Sequence, residues 1–454
     1  MLFAAAVLHV ALSFTLQEVG RRQLLPATFD EYGDAIAFAP DAACYREDAA
    51  ELAAVLRAGE FRYWLGSDYQ FHEKLHSICF ALFGELPGYG VVGAEPLNLL
   101  LYLATLVLVF RLGREVFDRR AGLMTAAAVA LWPSLLLHTT QFVKDPLFIA
   151  MALALALLVV CWTTRDYSWA GGLLTALAGA TLATGFWLAR AGMGAMLVAT
   201  VILGVLALAA RLLRERRVCA PNLVAMAVLV AVTLCVPFVM PGALKLGGYH
   251  DPVKHEMRPR ASAEGGASSL LSKAAERVGK VRLVFVNSYP YSGSNVDADV
   301  RIDDAEDLLR YVPRAAEIGF FAPFPDMWLA HGASVGASGR LLAGVESLAM
   351  YFVEALALAG VWAGRRRLAA WFLFAVAATG VTALGLVVVN VGALYRLRYL
   401  FLLLLIVLAA GGATRLLELL SAKAGGGARG SIQQSKTADA ATPQRDAASA
   451  ASTP

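Results

Sequence analysis

EPLNLLLYLATLVLVFRL, residues 95–112, is an apolar run with one acid at its head and one arginine near its foot. At 1.5 Å rise per residue it covers about 27 Å, close to the thickness of a bilayer's hydrocarbon core. GREVFDRR follows at 113–120, and a second apolar run occupies 121–139. Span, basic turn, span is the pattern of a polytopic membrane protein. Working outward, similar runs lie near 2–17, 146–163, 170–188, 193–211, 221–241, 343–363, 368–390 and 398–417. By length this makes about ten crossings. The whole chain agrees: of 454 residues 58% are hydrophobic and only 16% charged, where soluble domains carry about a quarter charged. The fold class expected is an all-α integral membrane protein.

The basic residues set the orientation, because cytoplasmic loops collect them. Arg111, Arg114, Arg119 and Arg120 lie between the second and third spans. Arg211, Arg214, Arg216 and Arg217 lie between the sixth and seventh, and Arg365, Arg366 and Arg367 between the eighth and ninth. All three groups fall on one side, with the tail 421–454, which is rich in Ala, Gly, Ser and Thr and reads as disordered. The long loops 18–94 and 242–342 then face outside, leaving 1–420 as one transmembrane domain. The first run has no basic residue before it and Arg21-Arg22 after it. It lacks a basic n-region and a small-x-small cleavage site, so it reads as a span rather than a signal peptide. An Ala- and Arg-rich, Lys-poor composition points to a GC-rich bacterium. The expected place is therefore the cell inner membrane, with an active face towards the periplasm. The net charge of +4 is spread over span ends, so no nucleic-acid-binding face is expected. Cys44 and Cys79 share the first external loop, where a disulfide would require their Cα atoms to approach within about 7 Å.

Four basic residues break the charge rule by sitting at external span ends: Lys144 in TTQFVKDP, Arg190 in FWLARAGM, and Arg396 and Arg398 in NVGALYRLRYL. Any one could snorkel to lipid phosphates. Together they suit a shared anionic ligand such as a lipid-linked phosphate. Carboxylates gather on the same side: Asp30, Glu31, Asp34, Asp41, Asp68 and Asp145. Tyr63, Trp64, Tyr69, Gln70 and His72 add the aromatic and amide groups that bind sugars. PDAACYREDAAELAAVLRAG (40–59) carries Tyr45, Ala49, Leu52 and Leu56 on one helical face, as in a helix lying on the membrane surface. Asp41 at its start is either an N-cap or a base near an acceptor hydroxyl.

In the second loop Asp303 can cap a helix containing Leu308, Leu309 and Val312. Phe320, Phe321, Phe324 and Trp328 beyond it suit an interfacial anchor. Within the spans the ionisable groups noted are Glu354 and His138, so the interior reads as nearly bare.

The layout resembles the GT-C membrane glycosyltransferases, in particular relatives of protein O-mannosyltransferases and lipid A aminoarabinose transferases. The resemblance covers roughly residues 1–200 and returns near the last span. It is carried by DAACYREDA at Asp41–Ala49, FALFGELPGYG, NLLLYL from Asn98, FRLGREVFDRRAGLMTAAAVALWPS at 110–134, KDPLF, and ALYRLRYLFLLLLIVLAAGG. It implies a polyprenyl-phosphate-linked sugar as donor and an acid of the first external loop (Asp41, Asp30 or Asp34) as base. It places the lipid phosphate on Lys144, Arg190, Arg396 and Arg398, with membrane lipids around the site. Tyr45, Tyr63, Trp64 and His72 are the candidates for sugar or acceptor. Some relatives use a divalent metal. The chain departs from the pattern in its large mid-chain loop and short first span. Two alternatives are a polysaccharide polymerase or O-antigen ligase using Arg310 and Arg314, and a lipid-linked glycan flippase or transporter. The transporter would line the bundle interior with polar groups.

Overall fold

The computed structural model describes residues 1–24, 39, 41–84, 88–240, 270–288, 292–329 and 336–439. Among them the backbone is helical, with a single isolated bridge between Asn295 and Asn390. Eight helical stretches are long and apolar enough to cross a bilayer. They become nine if the bent pair Arg119–Ala130 and Pro133–Thr139 forms one span. One of the eight, Trp169–Glu215, contains two helices, α9 (Trp169–Arg190) and α10 (Gly194–Glu215), joined by a 3-10 turn at Ala191–Met193. Arg211 near the end of α10 donates to the Trp162 and Arg165 carbonyls, beside the start of α9. The two helices therefore run antiparallel. The difference from the hydropathy count of about ten lies in this hairpin and in the bent pair.

The remaining spans are α1 (Leu2–Arg21), α5 (Val91–Val116), α8 (Asp145–Thr164), α11 (Ala220–Val239), α14 (Gly336–Ala363), α15 (Leu368–Val387) and α17 (Tyr399–Asp439). The last helix runs on into the stretch whose composition reads as a tail, and 440–454 lie outside the described residues. Between α5 and α8 stand α6 (Arg119–Ala130) and α7 (Pro133–Thr139), bent 68° apart. Pro133 removes a backbone donor at the bend, and Glu346 of α14 repairs the start of α7. Its carboxylate accepts from Ser134 N at 2.7 Å and Trp132 Nε1 at 3.1 Å, and from the Ser134 and Tyr395 hydroxyls. Spans meet closely where glycine permits. A Cβ on Gly360 of α14 would stand 1.9 Å from the Leu408 carbonyl of α17.

The basic loops gather at one end of the bundle. Arg367 donates to Val116 and Phe117 O, and Arg214 to Arg366 O, so the 117, 214 and 366 turns lie side by side.

At the opposite end sits a smaller helical unit: α2 (Asp41–Arg57), α3 (Phe61–Gly66) and α4 (Phe71–Phe83). Its core joins Ala42, Ala49 and Ala53 to Phe80, Val91, Ala94, Phe142 and Val143. The apolar face of α2 thus packs on α4 instead of resting on lipid. Cys44 and Cys79 are both free thiols.

The second loop contributes α12 (Leu270–Ser288) and α13 (Ala305–Phe321). The cap of α13 is Asp304, not Asp303: its carboxylate accepts from Glu306 N and Asp307 N. The buried face is Leu308, Tyr311, Ala315, Ile318 and Gly319, while Leu309 is exposed. One face of this helix is thus docked against the bundle. Gly319 meets the Val381 carbonyl and Gly385 of α15 meets the Ala315 carbonyl, so α13 descends antiparallel along α15.

The interior is not bare. His9 of α1 pairs with Glu95 of α5 at 2.8 Å, Ser13 donates to the other Glu95 oxygen at 2.5 Å, and Thr139 lies 3.1 Å from the second His9 nitrogen. Sequence reading misses this pair because each half stands alone in its own helix, 86 residues apart.

Candidate functional site

Four segments deliver five charged residues to one place at the end opposite the basic loops. Asp41 opens α2, Lys144 precedes α8, and Asp145 is its first residue. Arg190 closes α9, and Arg396 lies in α16 (Val391–Leu397). Local chemistry favours each place. Asp145-Pro146 suits a helix start, where the dipole favours an anion and proline's missing N–H costs nothing. Arg190 and Arg396 lie in last turns, where cations are favoured.

The geometry is a chain of ion pairs. Arg396 Nη2 is 3.0 Å from Asp41 Oδ2, and its Nε is 3.4 Å from Asp145 Oδ2. The other Asp145 oxygen accepts from Arg190. Asp145 is 3% exposed, so two arginines clamp one buried carboxylate. Arg190 lies over the Phe148 ring at 5.6 Å. Lys144 is different. Its Nζ faces Gln70 Oε1 at 3.4 Å and the Tyr45 ring at 5.6 Å, and among the described residues no carboxylate pairs with it. Burial pulls its pKa down to about 8, helped by Arg190. Three cations against two carboxylates leave the cluster with one positive charge in excess.

Unpaired polar atoms concentrate here. Seven buried side-chain N or O atoms among the described residues lack a hydrogen bond. Five of them are His72 Nδ1 and Nε2, Glu73 Oε1, Asp145 Oδ2 and Arg396 Nε. Buried polar groups in folded proteins are nearly always paired. Two of the five, Asp145 Oδ2 and Arg396 Nε, face each other at 3.4 Å as an ion pair, which leaves the His72 and Glu73 atoms open to an added polar group. Burial pushes the Tyr45 phenol above its ordinary range, with Asp41 adding to the shift. It also raises the Glu73 carboxyl to about 7.

The sequence candidates divide. Lys144, Arg190, Arg396, Asp41, Tyr45 and His72 come together. Arg398 does not, although only two residues from Arg396. It is 3% exposed and donates to the Gly319 and Ala322 carbonyls, capping the C-terminus of α13. A cation at a helix C-terminus satisfies orphan carbonyls and the dipole together. Trp64 is buried with its Nε1 donating to Ser77 Oγ at 2.8 Å, and Tyr63 is exposed on α3. Asp30 and Asp34 lie outside the described residues. Arg314 is spent on Asp297, at 2.9 and 3.2 Å, and Arg310 pairs with Glu306 on an exposed face.

Asp145 is the partner whose role sequence reasoning missed. A single carboxylate between Lys144 and Pro146 gives no sign of two arginines arriving from 45 and 251 residues away. A second missed signal is the spacing His72-Glu73-x-x-His76, which on a helix is a metal-binding pattern. Here Glu73 Oε2 accepts from Gln70 N in a capping box. His76 faces the His72 carbonyl and Asn98 Oδ1. Among the described residues no three His, Cys, Asp or Glu side chains converge on a metal-sized space. The cluster itself is a poor fit to a divalent cation, since arginine engages both its carboxylates and its net charge is positive.

About one helical turn towards the basic end lies a small apolar cavity of about 20 Å³ between α8, α9, α10, α15 and α17. Ala152, Phe186, Leu197, Val376, Leu400 and Leu404 line it. Phe148 and Phe186, with ring centroids 4.8 Å apart, link it to Arg190. Compared with protein-family models and with curated proteins, the chain has no match.

Proposed function

We propose that the cluster holds the anionic phosphate of a polyprenyl-phosphate-linked sugar, and that the protein transfers the sugar to an acceptor hydroxyl as a GT-C-like glycosyltransferase of the cell envelope. The observation that carries the reading is Lys144: a largely buried ammonium without a carboxylate, in a cluster with surplus positive charge and orphaned polar atoms. Phosphate oxygens would take the donors of Lys144 and Arg396, with Arg190 held against Asp145.

In this reading Asp41 is the base. Asp145 is clamped by two arginines, whereas Asp41 has one and is the more exposed, at 18% of its side chain. Asp41 accepts the acceptor's proton as its oxygen attacks the anomeric carbon. The bond from that carbon to the phosphate oxygen breaks with inversion, and its electron pair leaves on the phosphate. The diester gains a negative charge as it becomes a monoester, and the cationic surplus stabilises that change. The protein would work from the periplasmic face of the inner membrane. Polymerase or ligase chemistry on Arg310 and Arg314 is less favoured, because both are already paired. Transport is less favoured too, because the His9–Glu95 network is satisfied within itself.

The test is to replace the gene's product by Asp41→Asn in the native cell and profile lipid-linked sugars. Accumulation of an unconsumed glycosyl polyprenyl phosphate supports transfer. A wild-type profile at wild-type protein level overturns it.

A further inference from the structure

The two nitrogens of His72 pose a problem that the anion site alone does not solve. The residue is 1% exposed, and neither ring nitrogen has a hydrogen-bond partner. Its ring neighbours are not placed to supply one. The Tyr45 ring meets it edge-on at 4.5 Å between centroids, and the His76 ring lies at 6.3 Å, also edge-on. Tyr45 is in turn the ring over which Lys144 lies, and the charges of Lys144, Asp145 and Arg190 all reach His72. Burial pulls its pKa well below the ordinary range, so at neutral pH the ring is uncharged. An uncharged imidazole offers one N–H donor and one acceptor. With a single neutral donor it is a weaker anchor for phosphate than a cation would be. It matches a hydroxyl, which donates and accepts.

One other atom has the same character. Glu73 Oε1 is an acceptor without a hydrogen bond, suited to a hydroxyl donor and repelled by phosphate oxygen. The site thus divides into a cationic part at Lys144 and Arg396 and an uncharged, hydroxyl-matching part at His72. We propose that His72 is the specificity-determining residue of the site, hydrogen-bonding a hydroxyl of the group attached to the phosphate. This selects a glycosyl-phosphate lipid over the bare phosphate lipid. The inference rests on the anion-site reading given above and adds to it which half of the ligand is recognised and by what.

The experiment uses full-length protein in detergent micelles and two probes, a polyprenyl phosphate and the same lipid bearing one hexose on its phosphate. Dissociation constants are measured for wild type, His72→Phe and His72→Gln, with thermal stability recorded for each. His72→Phe keeps an aromatic ring against Tyr45 and removes both nitrogens. His72→Gln keeps a donor and an acceptor. Wild type should prefer the glycosylated lipid by about tenfold, the worth of one buried hydrogen bond. His72→Phe should bind both lipids alike while holding bare lipid as wild type does, and His72→Gln should retain part of the preference. A His72→Phe protein that still prefers the glycosylated lipid overturns the inference. So does a wild type that binds both equally, which leaves the anion site standing. A wild type that binds neither lipid overturns both.

Discussion

Removing the carboxylate of Asp41 should tighten the grip of the protein on a phosphate lipid while abolishing turnover. Arg396 is shared, with Nη2 at 3.0 Å from Asp41 and Nε at 3.4 Å from Asp145. An incoming phosphate must compete with Asp41 for the same guanidinium. At an effective dielectric of about 20, charges 3.0 Å apart attract by about 5–6 kcal/mol before desolvation is counted. The two side chains are 16% and 18% exposed, and the desolvation they have already undergone reduces the net worth of the pair to about 1–3 kcal/mol. Asp41→Asn removes that competitor and lifts the cluster from one surplus positive charge to two. A value within that range, about 1.4 kcal/mol, makes binding roughly tenfold tighter. The assay is the dissociation constant of a polyprenyl phosphate for the purified variant in detergent, with transfer measured in parallel. Equal or weaker binding by Asp41→Asn would refute the reasoning, because Asp41 would then be supporting Arg396 instead of competing for it.

Lys144 should make binding pH-dependent. With its pKa near 8, the ammonium is present below that pH and lost above it, so affinity for polyprenyl phosphate should fall between about pH 7 and 9. Lys144→Gln should bind about tenfold more weakly at pH 7 and lose that slope, and a slope retained in the variant would assign it elsewhere. Arg398→Ala should leave lipid-phosphate affinity within about twofold of wild type but lower the melting temperature and speed proteolysis near α13, because two buried carbonyls lose their donor. Unchanged protease sensitivity would count against the capping role. Glu95→Ala should destabilise the protein by about 3 kcal/mol, since it strands His9 and Ser13. Thermal unfolding in detergent checks this, and Glu95→Gln, which keeps hydrogen-bonding atoms, should lose less.

Helices were the legible part of this chain, because apolar run length and charge asymmetry are local properties. The window over 95–112 and the basic turn after it needed no partner to be read. Lys144, Arg190 and Arg396 were legible for a related reason: a cation at the wrong end of a span stands out one residue at a time. Convergence was not legible. Nothing near Asp145 announces that two arginines will clamp it, and nothing in ALYRLRYL separates the task of Arg396 from that of Arg398. The amphipathic stripe of α2 gave its buried side but not what covers it, since lipid and α4 are equally apolar. For α13 the close approach to α15 was not legible, because Gly319 and Gly385 carry no hydrophobic signal.

The spacing of Arg396 and Arg398 has a consequence for how this region can vary. The chain between them crosses the break from α16 to α17, and each guanidinium is aimed at its own partners, one at Asp41 and Asp145, the other at the end of α13. Substitutions around them can be absorbed one at a time. Inserting or deleting a single residue cannot, because it turns everything beyond by about 100° in a helix. Whichever arginine kept its aim, the other would lose it. Length, more than identity, is therefore the strict constraint on residues 396–398, and a relative with an altered count there should have rebuilt either the anion cluster or the seat of α13.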